Sequence, residues 1–218
     1  DSLWLGSASV QLAGSADDGA GSGVGLVEYR LEHAILIPEL LVDWTAANGS
    51  KDWSKSVDMS GYGEGLFQLK ARATDNAGNV SPILTRSFGI DTAPPELFET
   101  IVVVPTLKYY NAALHLEGYI QDNNGVMKAE VFLKVNGGAE SLVTSFAYNT
   151  VLFGLWSYDL PAVDGSYELR VLATDVAGRT AQLTRSIVID KTAPSFDEAS
   201  ISKGLSIGGA TVNGSLQF

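Results

Sequence analysis

Apolar and polar residues alternate along most of this chain. In the stretch that ends at Asp75, Phe67, Leu69, Ala71 and Ala73 fall on one face and Gln68, Lys70 and Arg72 on the other. A hundred residues later Tyr167, Leu169, Val171 and Ala173 repeat the pattern, with Glu168 and Arg170 opposite. A period of two with one polar face predicts a strand laid against a core. Leu69, Ala71, Leu169 and Val171 are therefore expected to be buried, and Gln68, Lys70 and Arg170 exposed. Each run is followed by Asp-x-Ala-Gly, in which the aspartate caps a turn and the glycine takes positive φ. Leu84–Ile90 and Leu183–Ile189 then alternate again, so each pair predicts a hairpin.

The rest of the chain reads in the same way. Val10, Leu12, Gly14 and Ala16 alternate inward, as do Leu114, Leu116, Gly118 and Ile120. Val24–Leu31 and Val126–Val135 follow turns rich in Asp, Asn and Gly; Trp53–Met59 and Leu152–Leu160 add a strand each, and Ile101–Val104 is a β-branched run. About seven strands per ~100 residues, with turns every ~8–12, is the pattern of a Greek-key β-sandwich. His33–Leu41, an apolar insertion, is the only run that also admits a helix.

The chain repeats itself. Residues 69–94 and 169–194 share L-x-x-x-ATD-x-AG, LTRS, I-D and TAP, with Asp75 and Asp175, Gly78 and Gly178, and Pro94 and Pro194 each 100 residues apart. A second signature recurs at Gly14, Gly118 and Gly214. Self-similarity at one period marks tandem units: two periods and the opening of a third.

Composition narrows the chemistry. A net charge of −11 disfavours binding to nucleic acid. The absence of cysteine removes disulfides, thiolate metal sites and cysteine nucleophiles. No run of ~18 apolar residues is present to span a membrane. No basic, apolar leader opens the chain, so an export signal is expected outside it. The two histidines stand apart and no G-x-S-x-G elbow is present, so no Ser–His pair is evident and catalysis is not expected. Asp17-Asp18, Glu28 and Glu32 read as turn caps and solvated faces. The mid-strand Trp44, Trp53 and Trp156 read as core, although an exposed aromatic row would suit sugars.

ATD-x-AG-N followed by a strand ending in I-D and then TAPP resembles bacterial immunoglobulin-like tandem repeats of large exported surface proteins and adhesins. SGVGLVEYRLE, with Trp44 and Trp53 behind it, resembles the opening of such a repeat. The resemblance implies sandwich units of immunoglobulin type and an extracellular, cell-surface setting, and it says little about ligands. In such a sandwich the loop after the second strand, the last hairpin turn and the incoming linker share one end. That would gather Asp91, Asp122, Asn124 and Asp175 at the joint between units, with Asn123 and Glu96 nearby. Ca²⁺ seeks six to eight hard oxygen ligands, and the resemblance implies that some adhesin repeats stiffen their joints in this way. Against it, no D-x-D-x-D-G loop is present, and Asp, Asn and Gly also build ordinary turns.

The expected architecture is all-β: tandem immunoglobulin-like β-sandwich domains in a rod, with an incomplete third repeat at the C-terminus. Domain one covers 1–91 and lacks its first strand. A TAPP linker covers 92–95, domain two 96–190 and a second linker 191–195. Residues 196–218 hold the first strands of a third repeat or a donated segment. Proline fixes φ and holds the preceding residue extended, so the joints are expected to be short and stiff. The expected role is structural or adhesive: a segment of a stalk or filament whose partners are neighbouring repeats or copies of itself, joined head-to-tail by strand donation. The rival is a glycan- or protein-binding module built on the 33–50 insertion, or an accessory module of a secreted enzyme.

Overall fold

The computed structural model describes residues 3–100 and 109–195, together with the backbone of 206–207 and 210–211. Unit one has β1 (Leu3–Leu5), β2 (Ser9–Ser15), β3 (Val24–His33), β4 (Glu39–Ala46), β5 (Asp52–Asp58), β6 (Gly65–Asp75) and β7 (Leu84–Ile90). Five of these form a sheet in the order β1-β7-β6-β3-β4, and β2 pairs with β5 in the facing layer. Between the layers lie Val10, Leu12, Val27, Leu31, Trp53, Met59, Phe67 and Ile90.

Unit two has the same plan with fewer breaks. It comprises β8 (Glu96–Glu99), β9 (Tyr109–Tyr110), β10 (Leu114–Val135), β11 (Ser141–Leu160), β12 (Gly165–Asp175) and β13 (Thr180–Ile189). The ladder between β10 and β11 runs from Leu114↔Leu160 to Gln121↔Phe153, shifts register, and resumes at Val126↔Val151. Each of these long strands thus does the work of two strands of unit one. The first half of β10 lies in one layer, and its second half crosses to the other through the bend at Asp122–Gly125. The Asp/Asn/Gly stretch that reads as a turn is a bulged corner, where Gly125 takes φ +135°.

Register makes the units superimposable by name. Gly14 faces Trp53 as Gly118 faces Trp156. Leu69 faces Arg86 as Leu169 faces Arg185. Neither position has room for a Cβ: on Gly14 it would lie 2.9 Å from the Trp53 ring, and on Gly118 it would lie 2.0 Å from the Phe98 carbonyl oxygen and 2.6 Å from the Trp156 indole nitrogen.

The insertion at His33–Leu41 is the hairpin between β3 and β4, because Pro38 and the bends before it interrupt any helical run. Leu3–Leu5 runs parallel to β7, as Tyr109–Tyr110 runs parallel to β13. The strand without a counterpart among the described residues is β8, which pairs antiparallel with Gly118–Gln121. Finally, Leu69 is half-buried whereas Leu169 is fully buried, and Gln68, Lys70 and Arg170 are partly covered. Ala71, Leu169 and Val171 are buried as expected. The run Ile101–Val104 and the expected strands Phe196–Ile201 and Thr211–Phe218 lie outside the described residues, except for the backbone of Thr211. Ser206–Ile207 (β14) pairs with Ala210–Thr211 (β15).

Candidate functional site at the joint between units

Asp91 ends the last strand of unit one and is held by its backbone N–H on the Leu5 carbonyl, 3.0 Å away. Asp122 sits in the corner of β10, where its Oδ1 accepts the N–H groups of Asn124 at 2.8 Å and Gly125 at 2.9 Å. Asp175 closes β12, and its Oδ1 accepts the N–H groups of Ala177 and Arg179, both at 2.8 Å. The two-unit arrangement brings these three aspartates together: each offers a carboxylate oxygen, and these lie within 4.8 Å of one another.

The group is electrostatically incomplete. Asp91 and Asp175 are buried. Neither carboxylate oxygen of Asp91 nor the Oδ2 of Asp175 has a hydrogen-bond partner. Burial, followed by the charges of Asp122 and Asp175, pushes the Asp91 carboxyl up to about 6; the Asn124 amide opposes that rise. Burial raises Asp175 as well, against the pull of the Arg179 and Ala177 amides. Buried carboxylates left unpaired and mutually repelling are costly unless a cation answers them.

The donors are hard oxygens, a set that suits Ca²⁺, Mg²⁺ or Mn²⁺ rather than soft-ligand metals. Two oxygens on opposite sides of a Ca²⁺ ion stand about 4.6–5.2 Å apart at its usual bond lengths, which accommodates the observed spread. A solvent-open cleft of 390 Å³, lined by Glu64, Asp91, Glu96, Asp122, Asn123 and Asn124, leads to the group.

Two further residues build the joint, and neither stands out in the sequence. The Arg179 side chain crosses from unit two to unit one: its Nε donates to the Asp91 carbonyl at 3.1 Å and its Nη2 to the Gly6 carbonyl. Glu64 accepts the Thr92 N–H at 2.7 Å and also the Thr92 hydroxyl, and these bonds hold its carboxyl below the usual range. Asp164 holds the next linker in the same way, through the Lys191 N–H at 2.8 Å and the Thr192 hydroxyl at 2.7 Å. That recurrence, an acid just before β6 and again just before β12 with a threonine in each linker, was the available sequence signal.

The other candidates resolve into local roles. Glu28 pairs with Arg72 at 2.8 Å and Glu32 with Lys70 at 2.6 Å, while Asp18 accepts the Gly23 N–H at 2.9 Å. Trp53 and Trp156 are buried; Trp44 is half-buried under the Arg72 guanidinium, 4.2 Å from its ring. His33 stacks on Phe67 at 4.8 Å. His115 lies on an exposed strand face between Asp159 at 2.5 Å and Glu117 at 3.3 Å, which raise its pKa, and both its ring nitrogens are engaged. An aromatic row does exist: Phe98, Tyr119 and Phe153 stack in turn at 4.7 and 5.2 Å. Tyr119, in the middle, is covered on both faces, which are the surfaces a sugar would need.

Comparison with known proteins places the fold. The family described as "Bacterial Ig-like domain" matches residues 44–92 and 106–191, well over half of the chain. No curated protein matches. Among solved structures, the chain is similar to the fibronectin(III)-like modules of CbhA from Clostridium thermocellum, at 17% identity and TM-score 0.42, covering 87% of this chain and 88% of that one. It is also similar to a tetra-tandem repeat from the extending region of a large adhesion protein, at 17% identity and TM-score 0.39, covering 88% of this chain and 50% of that one. A Ca²⁺-stabilised, ice-binding adhesin of an Antarctic bacterium is similar at 20% identity and TM-score 0.36, covering 87% and 46%.

Proposed function

The chain belongs to the bacterial Ig-like domain family, and from that premise we propose that it is a segment of an extracellular, cell-surface stalk whose inter-unit joint is stiffened by Ca²⁺. The observation that carries this reading is the convergence of Asp91, Asp122 and Asp175 with three buried carboxylate oxygens left without partners. Asp91 comes from unit one and the other two from unit two, so a shared cation ties the units together. These residues would hold the ion and Asn124 would add an amide oxygen. The bound charge supplies neutralisation of three crowded carboxylates.

The surrounding chain is suited to a stiff joint. Glu64 pins Thr92, Pro94 and Pro95 follow at once, and Arg179 grips the carbonyls on both sides of the ladder between β1 and β7. Rigid joints turn repeated units into a rod that projects whatever lies at its end. A weak site would serve in such a setting, since extracellular calcium modules work with dissociation constants of about 10⁻⁴–10⁻³ M. Strand donation between copies or neighbouring units belongs to the same reading.

The test is calorimetric titration of Ca²⁺ into chelator-treated chain, with melting followed alongside. Saturable binding at one site is expected, together with stabilisation of about 2.7 kcal/mol at one hundred times the Kd. Asp175→Asn should lose both. A melting temperature indifferent to chelator would reduce the joint to a proline hinge.

A second reading concerns unit one. The tip of the β3–β4 hairpin presents Ile35, Leu36 and Ile37 to solvent, Leu36 completely. Aliphatic side chains cannot stack on a sugar as rings do, so this tip favours a protein ligand over a glycan. Loss of surface binding in Leu36→Asp, with melting unchanged, would support it.

A further inference from the structure

In unit two, β8 lies along the free edge of β10, touches β13 and closes that side of the sandwich. Glu96 to Glu99 pair with Gln121 back to Gly118, so Leu97 sits opposite Ile120 and Glu99 opposite Gly118. Three contacts anchor the strand. Leu97 packs on the core. The Phe98 carbonyl accepts the Trp156 indole N–H at 3.2 Å. Glu99 pairs with Arg185.

Each receptor for these contacts has its equivalent in unit one, and among the described residues none is used. β2 pairs with β5 on one side, and among the described residues no strand lies along its other edge. In place of a strand there is a groove of 390 Å³, lined by Gly14, Ala16, Trp53, Ala71, Leu84 and Arg86. Among the described residues the Trp53 indole N–H has no acceptor and Arg86 has no acidic partner; the equivalent residues bond Phe98 and Glu99. Burial records the same difference. Gly118, Ile120, Leu169 and Ala173 are buried, whereas Gly14 is exposed and Ala16, Leu69 and Ala73 are half-buried.

We propose that this groove is a β-strand acceptor, and that its ligand is an extended segment running antiparallel to β2 with an acid opposite Gly14 and a bulky apolar residue opposite Ala16. Strand addition satisfies the exposed ladder edge, and side-chain pockets select the sequence. The acid is specified by Arg86. The carbonyl next to it in the chain meets the Trp53 indole. Apolar size is specified by two replacements: Ala16 stands where unit two has Ile120, and Ala71 where it has Val171, so the pocket admits a ring where unit two takes Leu97. The donor foreseen from the sequence, residues 196–218, lies outside the described residues apart from the backbone of the two short strands β14 and β15. The ligand is therefore defined by its chemistry: a leading strand of the Pro-Glu-Leu-Phe-Glu type carrying an aromatic residue at the Leu97 position.

This acceptor is independent of the cation joint, because every residue it uses belongs to unit one and none is an oxygen ligand. The test uses the whole chain and a synthetic peptide of residues 95–100 carrying Leu97→Phe, followed by the indole N–H resonances of the four tryptophans. Saturable binding with Kd below about 1 mM is expected, moving the Trp53 resonance and leaving that of Trp156 in place. Arg86→Glu, an exposed position, should weaken binding about tenfold, and a peptide that also carries Glu99→Lys should recover it on that variant alone. Failure to saturate, equal movement of both indoles, or affinity indifferent to the charge exchange would each overturn the proposal.

Discussion

The turns at Asp75 and Asp175 share a sequence and a backbone but end in opposite electrostatic states. Both read Ala-Thr-Asp-x-Ala-Gly, and their glycines take φ of +94° and +80°. In both, the aspartate Oδ1 accepts two N–H groups of the turn. The difference is the next side chain. Asn79 folds back and donates to the Asp75 Oδ2 at 2.8 Å, and its side-chain and backbone bonds lower that carboxyl. Arg179 reaches away to unit one, leaving the Asp175 Oδ2 buried and unpartnered. One turn is closed on itself and the other is open to a cation. The strand slots invert this relation: unit two is filled by β8, while among the described residues nothing occupies the equivalent receptors of unit one. A repeat therefore conserves the frame and varies the one or two side chains that decide what the frame holds.

The largest effect expected from this comparison is on the paired tryptophans. Trp156 is 1% exposed and bonded to β8; Trp53 is 7% exposed and opens on the groove. Trp156→Ala should cost about 3–5 kcal/mol, in the range for a large buried aromatic. Trp53→Ala should cost less, because its site is already open on one side. Denaturant unfolding checks the order, and equal losses would mean that the slot in unit one is filled in solution.

The aspartates come next. Without cation at neutral pH, Asp91→Asn removes a buried, repelled charge and should raise stability by about 1–3 kcal/mol. In saturating Ca²⁺ the ranking should reverse, since the variant cannot gain from the ion. Asp75→Asn should lower the melting temperature equally in both conditions, because its amide keeps one acceptor oxygen for the turn N–H groups but sets an NH2 against the Asn79 amide that now donates to Oδ2. Parallel melting curves for Asp91→Asn and the parent chain, with and without Ca²⁺, would deny the joint any cation.

Acidification separates the same pair. Asp91 titrates at about 6 in the folded chain against an ordinary value of 3.8. Its contribution is therefore full below about pH 4 and is lost as pH rises through 6. The cation-free protein should melt higher at pH 5 than at pH 7.5, and Asp91→Asn should flatten that slope. Asp75 is lowered rather than raised, so its contribution is present at neutral pH and fails only as pH falls below the ordinary carboxylate range.

The sequence made most of the frame readable and left the parts that depend on packing between units unread. Period-two runs and a hundred-residue repeat expose the strands, because each has a wet face and a dry one. The convergence of Asp91, Asp122 and Asp175 was legible because a sandwich places two loops and a linker at one end. Arg179 was not, since its reach to Gly6 depends on how one unit sits on the other. The half-burial of Leu69 was not legible either. Alternation says which face points inward, and nothing in Leu69 or its neighbours says that the strand slot above it is open. The corner at Asp122–Gly125 carries turn residues for a different reason: β10 bends there and continues.

The smallest change in stability, and the sharpest test of the comparison, is Arg179→Asn. It rewrites turn two as turn one. The new amide can donate to the Asp175 Oδ2 as Asn79 donates to Asp75, and the carbonyls of Asp91 and Gly6 lose their guanidinium. Two outcomes should appear together. Ca²⁺ affinity should fall about tenfold, because one ligand oxygen is engaged and the linker is no longer held. Small-angle scattering should show a broader range of inter-unit angles at unchanged strand content. The reverse change, Asn79→Arg, frees the Asp75 Oδ2 but brings no second buried carboxylate to it, and should create no calcium site. If Arg179→Asn keeps full affinity, the difference between the turns lies in the linker and not in the residue that follows the glycine.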